Sequence, residues 1–160
     1  MDNQQTPSTE HLNNFNGLVK NQRFVMFTTR SAEGKLVSRP MTISERANDL
    51  FRFVTQDDND VTRQSDAEQV NLAVMNGGTY LSLSGTARIE RDLAKKQELW
   101  NRLTEAYAGE AEDPNNIIIE VTAQTGEYWD AGNPIVRVIG LAKAAITGDA
   151  PSGDHGTAHL

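Results

Sequence analysis

Residues 23–56, RFVMFTTRSAEGKLVSRPMTISERANDLFRFVTQ, decide the fold. The first eight alternate, with Phe24, Met26 and Thr28 on one side of a strand and Val25, Phe27 and Thr29 on the other. Ala32-Glu33-Gly34-Lys35 follows as a hairpin turn, because Gly34 can take a positive φ at little cost. The return strand is LVSRPMTIS, residues 36–44, with Pro40 in its middle. Proline cannot donate to a sheet ladder, so Pro40 implies a bulge, an edge strand, or backbone that faces a ligand. DLFRFVTQ, residues 49–56, forms a third strand after a polar turn around Ala47-Asn48.

The same texture continues downstream. Asp57 to Glu68 is polar and reads as part helix. VNLAVM (70–75) and TYLSLSGTARIE (79–90) flank Asn76-Gly77-Gly78, a hairpin signal, and Ser84-Gly85 inside the second implies a bulge or a close backbone approach. Asp92 can cap a helix whose Leu93, Leu99, Trp100, Leu103 and Tyr107 make a core stripe. NIIIEVTA (116–123) and GEYWDA (126–131) read as the last two strands, and a final helix is expected from Asn133-Pro134 to Gly148. Upstream, Leu12, Phe15, Leu18 and Val19 recur at helical spacing. Residues 1–10 read as a disordered lead-in and 149–160 as a polar tail. About seven strands in hairpin order, without a βαβ rhythm, predict one mainly β domain over residues 11–148: an antiparallel, barrel-like sheet with short peripheral α-helices.

Composition narrows the chemistry. The chain has 160 residues, no cysteine, and histidine only at His11, His155 and His159. Disulfides, thiolate metal sites and a cysteine nucleophile are excluded, and Ser-His-Asp catalysis or His-ligated zinc is disfavoured. No metal site is expected. Asp57-Asp58-Asn59-Asp60 suggests a calcium loop, but Arg63 stands where such a loop needs glycine, so an acidic solvated turn is expected. Net charge is −7, from 22 acidic against 15 basic residues, and the longest basic cluster is Lys95-Lys96. Nucleic acid is therefore not an expected partner. The longest mainly apolar stretch, Pro134 to Thr147, is broken by Arg137 and Lys143 and falls short of the ~20 residues of a membrane span. The start, MDNQQTPSTEHLNN, has neither the basic nor the apolar run of a secretory signal, so a cytoplasmic location is expected.

Two features stay open at this level. Trp129, among polar neighbours near a strand end, suits the core, an interface, or a stacking surface for a planar ligand. Arg39, next to the ladder-breaking Pro40, either lies exposed on the outside of a barrel or sets its guanidinium over an anionic group.

Several segments together resemble the general stress protein 26 group of the pyridoxamine 5′-phosphate oxidase-like, FMN-binding split-barrel superfamily. They are FTTR (27–30), VSRPMT (37–42), LFRFVTQ (50–56), VNLAV (70–74), TYLSLSGTARIERD (79–92), LW (99–100), DPNN (113–116) and EYWD (127–130), in that order. AAITG (144–148) and GDHGTAHL (153–160) resemble the group's ending. The resemblance implies an FMN-binding split β-barrel that forms a homodimer with two flavin sites at its interface. It implies a flavin-dependent oxidoreductase acting on a small substrate, with FAD or a deazaflavin as alternatives to FMN. A non-catalytic, stress-related binding protein is the competing reading. Ser38, Arg39 and Met41 carry over as contacts along the ring and ribityl chain, and Val54 and Thr55 as contacts near the ribityl and phosphate. Tyr80 and Trp129 match positions from which the partner subunit reaches the flavin. Where the group has a phosphate-holding lysine, this chain has Asp60 or Val61, depending on a one-residue gap, with Arg63 a short step further. The oxidase signature also expects an arginine where Pro134-Ile135 stands, so true pyridoxamine 5′-phosphate oxidase activity is not expected.

Overall fold

The alternation at residues 23–56 becomes three strands in one sheet, joined by a fourth, very short one. β1 (Phe24–Arg30) pairs antiparallel with β2 (Leu36–Thr42) through the turn in which Gly34 has φ +79. β3 (Glu45–Ala47) and β4 (Leu50–Gln56) form a tight hairpin around Asn48, which takes φ 57. The computed structural model describes residue 17, residues 19–130 and residues 133–139. The lead-in, most of the first helix and the polar tail lie outside the described residues; Val19, at the end of that helix, is buried.

α1 (Asp60–Ser65) links β4 to β5 (Gln69–Asn76), which turns through Gly77-Gly78, both at positive φ, into β6 (Thr79–Glu90). Two short helices follow, α2 (Leu93–Leu99) and α3 (Arg102–Ala108), then β7 (Asn116–Asp130) and β8 (Asn133–Ile139). The strand order is β2-β1-β5-β6-β7-β4-β3, with β8 also on β7, and every pairing is antiparallel. The result is a mainly β fold of the split-barrel type. Pro40 lies on β2, an edge strand, where its missing donor costs no ladder bond.

Two expectations need correction. The sequence predicts separate strands at residues 116–123 and 126–131, but β7 is one strand of 15 residues. Its buried positions run Ile117, Ile119, Val121 and Ala123, then shift phase to Gly126 and Tyr128. That phase change is a bulge, placed where the β6–β7 register slips at Ser84/Gly85. The helix expected from Asn133 is instead β8, over Asn133–Ile139. Asn-Pro looks like a helix start, yet Ile135, Val136, Val138 and Ile139 are β-branched, which favours a strand. Pro134 does little harm to the ladder, because it sits near the start of a strand that, among the described residues, is bonded only to β7. The remainder of the expected helix lies outside the described residues.

The main core fills the concave side of the sheet, where Phe27 and Phe53 meet edge to face at 5.1 Å between ring centroids. A smaller core lies on the other side of β4 and β7, where Val54 and Ile118 pack against Leu99, Trp100 and Ala108 of the helical layer. Asp92 caps α2 by accepting from Lys95 N at 3.0 Å, as expected. Of the expected stripe, Leu99 is buried, while Leu93 and Tyr107 are exposed, because the helix breaks at Trp100. Lys96 is buried as well. Its Nζ donates to Asn116 O at 3.0 Å and Asp113 O at 3.3 Å, while Asn116 Nδ2 donates to Ala108 O and Glu110 O. Lys95 pairs with Glu90 at 2.7 Å, so Lys95-Lys96 forms no basic patch.

A Cβ added at Gly85 would overlap Thr122 O and stand 2.8 Å from its carbonyl carbon and 2.9 Å from Ala123 Cα. Both obstacles are backbone, which cannot rotate away. Gly85→Ala is expected to destabilise the fold by about 1–3 kcal/mol or more, read as a lower urea midpoint. An unchanged midpoint would show that the sheet relaxes freely at the bulge.

Candidate functional site

Cross-strand register sorts the candidate residues by face. Arg39 lies opposite Phe27, and Met41 opposite Val25, so both are on the concave, core-facing side of β2. Met41 packs against the main core. Ser38 lies opposite Thr28 on the convex side, and the two hydroxyls are 2.8 Å apart. Val54 also faces away from the main core, into the helical layer, whereas Thr55 faces inward.

Arg39 is held by two neutral acceptors. Its Nη1 donates to Thr29 Oγ1 at 2.7 Å and its Nη2 to Gln64 Oε1 at 3.2 Å, while the Thr29 hydroxyl itself donates to Gln64 Oε1 at 2.5 Å. Burial lowers the Arg39 pKa from its ordinary value, and the negative charge of Asp60 works against that shift. Arg39 therefore keeps its charge in a fixed, partly desolvated place at the edge of the sheet. Thr29 and Gln64 were not among the sequence-derived candidates. One signal was available for Thr29: it is a polar residue in the inward row of Val25 and Phe27, diagonal to an inward arginine. Gln64 gave none, since its role depends on how α1 crosses β1.

The turn between β4 and α1 closes the same corner. Asn59 Nδ2 donates to Thr55 Oγ1 at 3.0 Å, and Thr62 Oγ1 donates to Gln56 O at 2.7 Å. Val61 is buried in the main core, which leaves Asp60 as the residue that faces outward. Arg63 is turned back on its own helix, paired with Asp60 and donating from Nη1 to Asp58 O at 2.6 Å. Asp57 takes both arms of Arg91, at 2.7 and 3.3 Å, and Asp58 accepts from Asn115 Nδ2 at 3.3 Å. The acidic run is thus a tied turn. Among the described residues, no group of three or more His, Cys, Asp or Glu side chains is gathered to hold a metal ion.

Tyr80 and Trp129 are directly opposed on β6 and β7, on the convex side. Tyr80 is 50% exposed, and it continues an apolar band with Phe24 (61%), Met26 (43%) and Met75 (69%). Pro40 and Ala73 flank Met26 in the same band. Beside it runs a polar row in which Thr28 meets Ser38 and Asn71 Nδ2 donates to Ser82 and Ser84 at 2.8 and 3.2 Å. One chain therefore holds its candidates in two groups, Arg39, Met41 and Thr55 on the concave side and Ser38, Tyr80 and Trp129 on the convex side. Within a single chain they are not brought together.

A family model described as pyridoxamine 5′-phosphate oxidase like matches residues 10–152. Among solved structures, the chain is similar to a Clostridium acetobutylicum protein related to general stress protein 26 of B. subtilis, of the pyridoxinephosphate oxidase family. Identity is 22%, covering 81% of this chain and 94% of that one, with a TM-score of 0.72. General stress protein 26 of Bacillus anthracis is 20% identical, covering 76% and 94% of the two chains at a TM-score of 0.61. The general stress FMN/FAD binding protein of Xanthomonas citri is 25% identical, covering 77% and 90% at a TM-score of 0.64. No curated protein matches the chain. No described helix is long and apolar enough to cross a membrane.

The Arg39–Thr29–Gln64 cluster makes an energetic prediction of its own. In a double-mutant cycle on urea denaturation, Arg39→Met and Gln64→Leu should couple by about 0.5–3 kcal/mol, the range for contacting polar partners. Additive losses would mean that Gln64 does not hold the guanidinium.

Proposed function

The chain belongs to the pyridoxamine 5′-phosphate oxidase like family, and from that premise we propose that it is a flavin-binding protein acting as a homodimer. The observation that carries this reading is the division of the candidate residues between the two faces of one sheet. A second copy whose convex face packs against the β2 edge of the first would bring its Tyr80 and Trp129 toward the first copy's Arg39 and Met41. The apolar band of Phe24, Met26, Met75 and Tyr80 supports such a contact, since monomeric proteins rarely leave a patch of this kind open. The polar row beside it is already hydrogen-bonded within the chain, so covering it strands few donors.

The side chains suit the ring of a flavin. Trp129 and Tyr80 offer flat aromatic surface, and Met41 a polarisable thioether. Arg39 supplies a fixed donor whose charge is not cancelled by a bonded carboxylate. FMN is the form that the family resemblance implies, with FAD or a deazaflavin as alternatives. When bound, the flavin supplies hydride or electron transfer. The chain's own residues bind and orient it, and the interface keeps water from the ring. We assign the reaction to oxidation or reduction of a small substrate other than pyridoxamine 5′-phosphate. No cysteine is present and no histidine stands between His11 and His155, so neither a thiol nor an imidazole from that span takes part.

Two measurements test this reading. Sedimentation at micromolar concentration should show a dimer, and Met26→Lys should shift it to monomer by placing a charge in the apolar band. Arg39→Ala and Trp129→Ala should each weaken flavin binding, followed by fluorescence quenching. Mixed and allowed to exchange, the two variants should recover about a quarter of the sites, because half of the dimers then hold one intact composite site. No recovery would show that Arg39 and Trp129 do not meet across a dimer interface.

A further inference from the structure

The side chains bonded to Arg39 are neutral, and the nearby Arg63 and Arg91 are already ion-paired. Thr29, Thr55, Asn59 and Gln64 bring hydroxyls and amides to the corner between β4, α1 and β1. Such groups serve as donors and acceptors alike. Arg63 is paired with Asp60, and Arg91 with Asp57. Counting Arg39, Arg63 and Arg91 against Asp57, Asp58 and Asp60, the corner has no surplus positive charge. The adjoining cleft, about 470 Å³ in volume, adds Arg30 but also Glu33 and Glu68. A phosphate dianion needs more than one free cation to neutralise it, and of Arg39, Arg63 and Arg91 only Arg39 has no carboxylate partner. Here it would meet Asp60, whose side chain is 74% exposed, or would have to displace that carboxylate from Arg63.

The corner therefore does not fit a phosphate, although it fits a chain of hydroxyl groups. We propose that this site selects a flavin whose tail ends as an uncharged polyol, riboflavin or its 5-deaza analogue, over the same ring carrying a terminal phosphate. This inference rests on the flavin reading above and names the tail that the site takes. Arg39, held by Thr29 and Gln64, serves as a hydrogen-bond donor to tail hydroxyls. Asp60 is the residue that discriminates, by repulsion of anionic tails and by occupying Arg63.

The test uses the full chain, titrated at low ionic strength with riboflavin, FMN and FAD and followed by fluorescence anisotropy. Riboflavin should bind about tenfold tighter than FMN or more, on the scale of one unscreened like-charge contact. Added salt should tighten FMN binding, since screening relieves a repulsion, and should leave riboflavin unchanged. Asp60→Asn should strengthen FMN binding by about tenfold with riboflavin affinity held within about twofold. Asp60→Lys should strengthen it further, and circular dichroism should show both variants folded, as expected for an exposed position. FMN binding tighter than riboflavin, with affinity falling as salt rises, would overturn the tail preference and leave the flavin reading intact. Failure of all three flavins to bind the dimer would overturn the flavin reading and this inference with it.

Discussion

The close passage of Gly85 against the backbone of Thr122 and Ala123 sets where every later residue of β7 points. No side chain fits there, so the two strands approach more closely than a Cβ permits, and the register slips by one residue. Before the slip the odd-numbered residues of β7 face the core, as Ile117, Ile119, Val121 and Ala123 do. After it the even-numbered ones do, beginning with Gly126. Tyr128 is buried for this reason, and Trp129 stands beside Tyr80 on the convex face. Without the bulge the two aromatics would exchange roles. Trp129 would fill the core and the convex face would carry the Tyr128 ring in place of the larger indole. A single glycine thus links the curvature of the sheet to the chemistry of one of its faces.

The convex face is covered in two different ways. Over β4 and the first half of β7, α2 and α3 supply Leu99, Trp100 and Ala108 to bury Val54 and Ile118. That layer is fastened by Lys96 and Asn116, whose buried nitrogens satisfy carbonyls of the connecting loop. Over β1, β5 and β6 the chain supplies no helix among the described residues, and Phe24, Met26, Met75 and Tyr80 stay exposed. The strand residues on this side form an apolar band beside a polar row, and neither is covered by a described helix. An antiparallel sheet with one uncovered apolar face is the arrangement that association completes.

Strand content and hairpin order were legible because alternation and turn glycines are local signals. Gly34, Gly77 and Gly78 all take the positive φ that their turns require, and Ser84-Gly85 marks the bulge. Continuity across the bulge was not legible, since a phase change in alternation looks the same as a strand break. The segment after Asn133 misled for a different reason. Asn-Pro satisfies the rules for a helix start, and only the run of β-branched residues behind it spoke for a strand. Arg39 could be singled out from its neighbour Pro40, but its partners come from Thr29, two residues further along the paired strand, and from Gln64 on a separate helix. Tertiary placement decides both contacts, as it decides that Lys96 is a buried clamp and not half of a basic patch.

Pro40 connects the edge of the sheet to the use of its neighbour. β2 is a terminal strand, and an open edge of seven residues invites another strand to pair with it. Removing one donor from the middle of that edge interrupts any continuous ladder, so β2 stays open without serving as a docking strand. Arg39, the adjacent residue, then remains half-buried at the open seam, neither covered by a further strand nor free in solvent. Its guanidinium is oriented by neutral groups, while Asp57 and Asp60 are tied to other arginines. The charge of Arg39 is thus kept in place by geometry. For a site in a chain with no cysteine and with histidine confined to its ends, that fixed donor and the aromatic face across the sheet are the recognisable functional groups, and in the proposed reading both hold a ligand that brings its own chemistry.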